Sequence, residues 1–238
     1  MNKLTRLAPS TALLTAVLLL ACGTATAQSF CSSDGRPQPM ALLERFINAD
    51  CEACWADAAT PQVARGELAL DWIVPGGRGD DAPLSAAASR DSGARLEALG
   101  RARPATTDYS RSKIQPAPQR LRVSHGLPFN GYLGTSIELK PGSGRPWRAW
   151  LALVETIPAG VEGTPVERNL VRNVLQPSWG GAGPLSKEER RRLYEARPLS
   201  IPEGANPDRL RVVGWVEDSQ GHIRAIAQSR CAQSAGRG

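Results

Sequence analysis

MALLERFINADCEACWADAATPQVARGELALDWIV, residues 40–74, is the stretch on which the fold class turns. Met40 to Asn48 is an apolar run that pattern alone reads as a buried strand or a short helix. The residues after it favour a strand. Asp50 is a good N-cap, and Cys51 to Ala64 carries the helix formers Ala53, Ala56, Ala58 and Ala59, with Pro61 kinking or ending the helix. Leu68 to Val74 (LALDWIV) is the next apolar run, stopped by Pro75-Gly76-Gly77. Strand, helix, strand in this order predicts a βαβ unit with a parallel pair, and so an α/β class.

Outward from this unit the pattern weakens. Ser85 to Leu99 reads as a helix, with Ala86, Ala87, Ala88, Leu96 and Leu99 on or near one face. Arg101 to Pro118 is polar and proline-dotted and reads as loop. Leu121 to Val123 and Gly134 to Leu139 are short strand candidates around the turn-rich Gly126 to Gly131, and Trp147 to Ile157 is a stronger strand. Val166 to Leu175 suits either a short helix or a strand. Ser186-Lys187-Glu188-Glu189 is a capping box that predicts a helix to about Ala196. Arg209 to Glu217 and His222 to Ser229 predict a β-hairpin across Asp218-Ser219-Gln220-Gly221.

The first 27 residues read as a secretory signal peptide: Lys3 and Arg6, an apolar run from Ala12 to Ala21, then Ala25-Thr26-Ala27 before Gln28. The run is about half the length a membrane-crossing helix needs, and no other stretch is longer and as apolar. Leu19-Leu20-Ala21-Cys22 also fits a lipobox, so a lipid anchor at Cys22 stays open beside simple cleavage. Residues 28–238 are then one domain of generous size with a β-rich C-terminal part. The net charge is +6, carried mostly by dispersed arginine, and the densest cluster, Arg190-Arg191-Arg192, follows Glu188-Glu189. No basic stripe with interleaved aromatics marks a nucleic-acid face.

Without Cys22, four cysteines remain in an exported chain. The simplest of the three pairings joins Cys51 to Cys54 and Cys31 to Cys231. Cys51-Glu52-Ala53-Cys54 is the motif that carries chemistry. A cysteine at a helix start meets unpaired N–H groups that stabilise its thiolate, the form that attacks a disulfide sulfur. Cys51 is thus the candidate nucleophile and Cys54 the resolving thiol, although Asp50 and Glu52 oppose a second anion beside them. A structural disulfide is the competing reading. Zinc would need four ligands, with only His125 and His222 to join the cysteines. Haem attachment would need His where Trp55 stands. Asp80-Asp81, with Asp71 and Asp91 nearby, lacks calcium-loop spacing and reads as solvated loop carboxylates. His125 and His222 read as loop and turn residues, and Trp55 and Trp72 as core or groove wall. No cofactor or metal is expected.

Phe46-Ile47-Asn48-Ala49-Asp50-Cys51-Glu52-Ala53-Cys54-Trp55-Ala56-Asp57 resembles the opening of a bacterial family of secreted, thioredoxin-like proteins known only as a domain of unknown function. Leu70-Asp71-Trp72 and Arg172-Asn173-Val174 resemble two later segments of that family, and the C-terminal hairpin is similar to its closing strand pair. The resemblance implies a thioredoxin-like domain with a β-rich C-terminal extension in the periplasm or outside the cell. It departs at Trp55, where Pro is usual. The proline that would face the cysteines is not identifiable among Pro104, Pro116 and Pro128. Together these readings predict an exported thioredoxin-like thiol–disulfide oxidoreductase acting on cysteines of other exported proteins. The alternative is a non-catalytic binding or assembly protein with structural disulfides.

Overall fold

The computed structural model describes residues 31–115, 118–140, 146–180 and 186–231. Residues 1–27, read above as a signal peptide, together with Cys22 and Pro116, lie outside the described residues. In chain order the strands are β1 (Cys31–Ser32), β2 (Ala41–Asn48), β3 (Glu67–Val74), β4 (Thr107–Lys113), β5 (Arg120–Phe129), β6 (Tyr132–Lys140), β7 (Arg148–Ile157), β8 (Arg168–Leu175), β9 (Leu193–Ser200), β10 (Leu210–Glu217), β11 (Ile223–Gln228) and β12 (Arg230–Cys231). The helices are α1 (Glu52–Trp55), α2 (Arg90–Ala98) and α3 (Lys187–Arg191).

The apolar runs at the opening do become parallel neighbours. β2 and β3 pair in register from Ala41 opposite Glu67 to Asn48 opposite Val74. The expected α/β, thioredoxin-like architecture nevertheless does not form. The strands make a seven-stranded sheet in the order β11-β10-β7-β8-β3-β2-β4 and a five-stranded sheet in the order β12-β1-β5-β6-β9. Helices of four, nine and five residues cannot cover both faces of so wide a sheet. A second sheet does much of that work. Val123, Ile137 and Leu139 from one sheet pack with Leu151, Leu153, Val212 and Val216 from the other in one core. The opposite face of the large sheet holds Phe46, Trp72, Trp150 and Trp215, closed by Leu96 of α2. The β-rich part expected as an extension is thus the larger part of the fold.

Each local departure has a physical cause. The helix expected over Cys51–Ala64 is a single turn, because its carbonyls are taken by a side chain: Arg168 Nη2 donates to Trp55 O at 2.8 Å and to Cys54 O at 3.4 Å. Ala59 N, which would have bonded Trp55 O, turns instead to Asp57 Oδ1. The polar segment read as loop over Arg101–Pro118 contains β4, held as an edge strand by antiparallel pairing with β2. Alternating polar residues suit a strand with little burial on either side. The helix expected over Ser85–Leu99 is broken at Ala88, which bridges to Ile73. It resumes as α2 with the Ser89 side chain as cap. α3 keeps its capping box but stops at Arg191, since Leu193 onward pairs with β6. Val166–Leu175 resolves to a strand, and the β10–β11 hairpin forms as expected. Asn130-Gly131, both at positive φ, supplies the two-residue turn between β5 and β6.

The two sheets approach closely at Gly214. A Cβ there would lie 2.6 Å from Val123 Cγ1 and 3.2 Å from Ile137 Cδ1. Val123 is β-branched and packed, so it has little room to yield. Gly214→Ala is expected to cost about 1–3 kcal/mol, read as a fall in the urea midpoint at unchanged slope. An unchanged midpoint would contradict this close approach.

Candidate functional site

β2 and β3 each carry a charge inside an apolar run, at positions opposite one another: Arg45 faces Asp71 in the parallel register. Side chains alternate along a strand, so Glu44 and Arg45 point to opposite faces, and each is buried in its own ionic cluster.

Arg45 and Asp71 lie beneath the crossover that carries the cysteines. Asp71 accepts from Arg45 at 2.6 Å and from Arg168 at 3.1 Å, and also from Asn169 N at 2.7 Å. Arg168 comes from the start of β8, which pairs with β3 at Asp71 opposite Leu170. Besides the carbonyls of Cys54 and Trp55 it donates to Thr60 Oγ1 and Thr164 Oγ1, and its guanidinium sits 5.1 Å from the Trp55 ring. Trp55 Nε1 donates to Glu162 O at 2.8 Å. Arg45 reaches Pro61 O and Glu167 O. Every residue of the Arg45–Asp71–Arg168 group is essentially solvent-free. Burial pushes the Arg168 guanidinium down from its ordinary value while Asp71 holds it up, and an arginine stays charged across the working range. Two guanidiniums share one carboxylate, so this group carries one net positive charge under the turn.

On this foundation Cys51 and Cys54 form a disulfide across one helical turn, with Cα atoms 5.4 Å apart. Cys51 is the cap residue of α1, Cys54 N bonds Cys51 O, and both cysteines are half-buried. The Asp50 carboxylate is occupied by Gly77 N at 2.7 Å and Arg78 N at 3.2 Å. Gly76 passes so close to this carboxylate that a Cβ there would collide with it. Glu52 is exposed. Beside Trp55 opens a cavity of about 230 Å³, walled by Leu84, Ile157 and Leu170 with Arg172 and Glu203 at its margin.

Cys31 and Cys231 also form the expected disulfide, between β1 and β12. His125, expected in a loop, is a buried residue of β5 next to it, whereas His222 is exposed beside Asp218. Asp71, Asp80, Asp81 and Asp91 do not gather. Asp71 belongs to the arginine group, Asp91 lies in the first turn of α2 and accepts from Val174, and Asp80-Asp81 form an exposed turn. Of the candidate prolines, Pro104 gives its carbonyl to Asn48 Nδ2 and Pro128 is exposed in the other sheet. Trp55 and Trp72 are core residues, as expected.

Local pattern assigns no role to Arg45, Arg168, Glu44, Arg95 or Glu217. A signal is nevertheless present in the first strand: Glu44-Arg45 interrupts an apolar run where a solvated charge pair has no place.

Among the described residues no helix is long and apolar enough to cross a membrane. Two disulfides are compatible with an oxidising, extracellular setting. No family model, curated protein or solved structure matches the chain, so the likeness to the secreted C-x-x-C family rests on the quoted segments alone.

Proposed function

We propose that this is an exported protein whose Cys51–Cys54 pair exchanges disulfides with cysteines of another exported protein. The observation that carries the reading is the position of the pair. It sits on one surface turn at the carboxyl end of β2, half-buried, above a dry group with one net positive charge. That charge favours the thiolate and offsets Glu52, while Asp50 is engaged by backbone donors. In the oxidised form a partner thiolate attacks Cys51 Sγ and Cys54 leaves as thiolate. A second partner thiolate then attacks the partner's sulfur in the mixed disulfide and expels Cys51. The partner gains a disulfide and this chain gains two thiols. Run in reverse, the same steps reduce a partner.

The test is a redox titration of the mature chain in glutathione and dithiothreitol buffers, with each cysteine alkylated and mapped by mass. Cys51–Cys54 is expected to reduce above about −300 mV and well before Cys31–Cys231. With Cys54→Ser, which keeps the attacker and removes the resolver, a mixed disulfide with a substrate thiol is expected to persist at Cys51. Resistance of the pair below that potential, with no adduct on the variant, would overturn the exchange reading.

A second reading has its own support. The turn is pinned by bonds from Arg168 to Cys54, Trp55 and Thr60, as a staple for the neighbouring cavity would be. On that reading the protein binds or assembles without redox chemistry, and both disulfides are structural.

A further inference from the structure

The Cys31–Cys231 disulfide lies in a row that includes a third metal-binding residue. β5, β1 and β12 are adjacent strands, and in their registers His125 stands opposite Cys31 and Cys31 opposite Cys231. One ligand atom from each of the three residues falls within 4.8 Å of the other two. His125 is 5% exposed and Cys31 1%, whereas Cys231 is exposed and opens the row to solvent.

The imidazole is set up as a ligand. Its Nδ1 is 2.8 Å from Gly126 O, and a carbonyl can only accept, so Nδ1 carries the proton. Nε2 is left with its lone pair, buried and without a hydrogen-bond partner among the described residues. A buried polar atom left unpaired is destabilising, which calls for an explanation beyond packing. A backbone carbonyl that orients one ring nitrogen while the other is free is the arrangement of a metal-ligating histidine.

We propose that reduction of Cys31–Cys231 opens a two-thiolate, one-imidazole site, formed by Cys31, Cys231 and His125, for a thiolate-seeking d¹⁰ cation such as Zn²⁺ or Cu⁺. The reductant is a thiol. Two thiol molecules are oxidised to their disulfide while the cystine takes up two electrons and two protons. Metal binding then releases both protons from the cysteines as two metal–sulfur bonds form. Three ligands suit trigonal Cu⁺, or tetrahedral Zn²⁺ with water in the fourth place. Oxidised, Cys31 and Cys231 instead tie β1 to β12.

The test uses the mature chain with Cys51→Ser and Cys54→Ser, so that only one pair can bind metal and the outcome is independent of the exchange reading. After anaerobic reduction with a phosphine, Zn²⁺ and Cu⁺ are titrated separately against chromophoric competitors, with Co²⁺ as a spectroscopic probe. The expected results are one ion per chain, a sulfur-to-cobalt charge-transfer band, and no binding by the oxidised chain. Adding His125→Ala is expected to weaken binding at least about tenfold. If the reduced chain unfolds, Zn²⁺ or Cu⁺ is expected to restore its β-sheet circular dichroism. Absence of stoichiometric binding, binding indifferent to His125→Ala, or failure of either ion to restore an unfolded reduced chain would overturn the proposal.

Discussion

Arg95→Met is expected to lower stability by about 3–5 kcal/mol, a large share of the roughly 5–15 kcal/mol that holds a domain together. Arg95 rises from α2 into the face of the large sheet that carries the tryptophans. It gives Nε and Nη2 to the two oxygens of Glu44, each at 2.7 Å, and Nη1 to Glu217. Its guanidinium lies 5.1 Å from the Trp150 ring and 5.2 Å from the Trp215 ring, and those indoles stack on each other at 5.6 Å. Both indole N–H groups donate to Glu217. Burial works against the Arg95 charge, and Glu44 and Glu217 overcome it, so its pKa lies above the ordinary arginine value. Methionine replaces much of the volume but leaves the buried Glu44 without its guanidinium and Glu217 with only the half-exposed Arg148, 3.8 Å away, and that undercompensated charge is the source of the loss. Urea unfolding measures it. Adding Glu44→Gln to Arg95→Met is expected to recover part of it, because one of the stranded charges is then gone. A loss under about 1 kcal/mol would mean that water reaches this cluster and screens it.

Asp71→Ala is expected to cost a similar amount, about 3–5 kcal/mol, by leaving Arg45 and Arg168 buried with no counter-charge. Here the effect has a location. Arg168 pins the carbonyls of Cys54 and Trp55, so a displaced guanidinium should loosen the cysteine turn before the rest of the molecule. Hydrogen exchange is expected to quicken first over residues 51–60, and Cys51–Cys54 to reduce more readily than in the parent chain. Asp71→Asn keeps an acceptor for one arginine and is expected to lie between the two. Equal protection across the chain in Asp71→Ala would separate the arginine group from the turn and remove the electrostatic support for exchange chemistry.

The two clusters explain why the opening segment is readable only in part. The apolar runs around Glu44-Arg45 and Asp71 predict buried parallel strands, and burial on both faces is what the fold delivers. The charges inside the runs gain meaning from partners 26 to 122 positions apart: Arg45 with Asp71, Glu44 with Arg95, Asp71 with Arg168, and Arg95 in turn with Glu217. Pattern over a window of about ten residues cannot see such partners. The short helices have the same origin. Alanine-rich Cys51–Ala64 has the propensity for a longer helix, but tertiary hydrogen bonds from Arg168 take its carbonyls.

Local signals, by themselves, determined the two parallel strands, the cysteine pairings as the simplest arrangement, the capping box at Ser186 and the closing hairpin, because each depends on neighbours within a few residues or on cysteine count. The second sheet, the edge strand β4, the buried ionic groups and the placing of His125 against Cys31–Cys231 were decided by tertiary structure alone. Sheet pairing and charge neutralisation join residues distant in sequence, and a polar segment such as Thr107–Lys113 becomes a strand only when β2 presents its free edge.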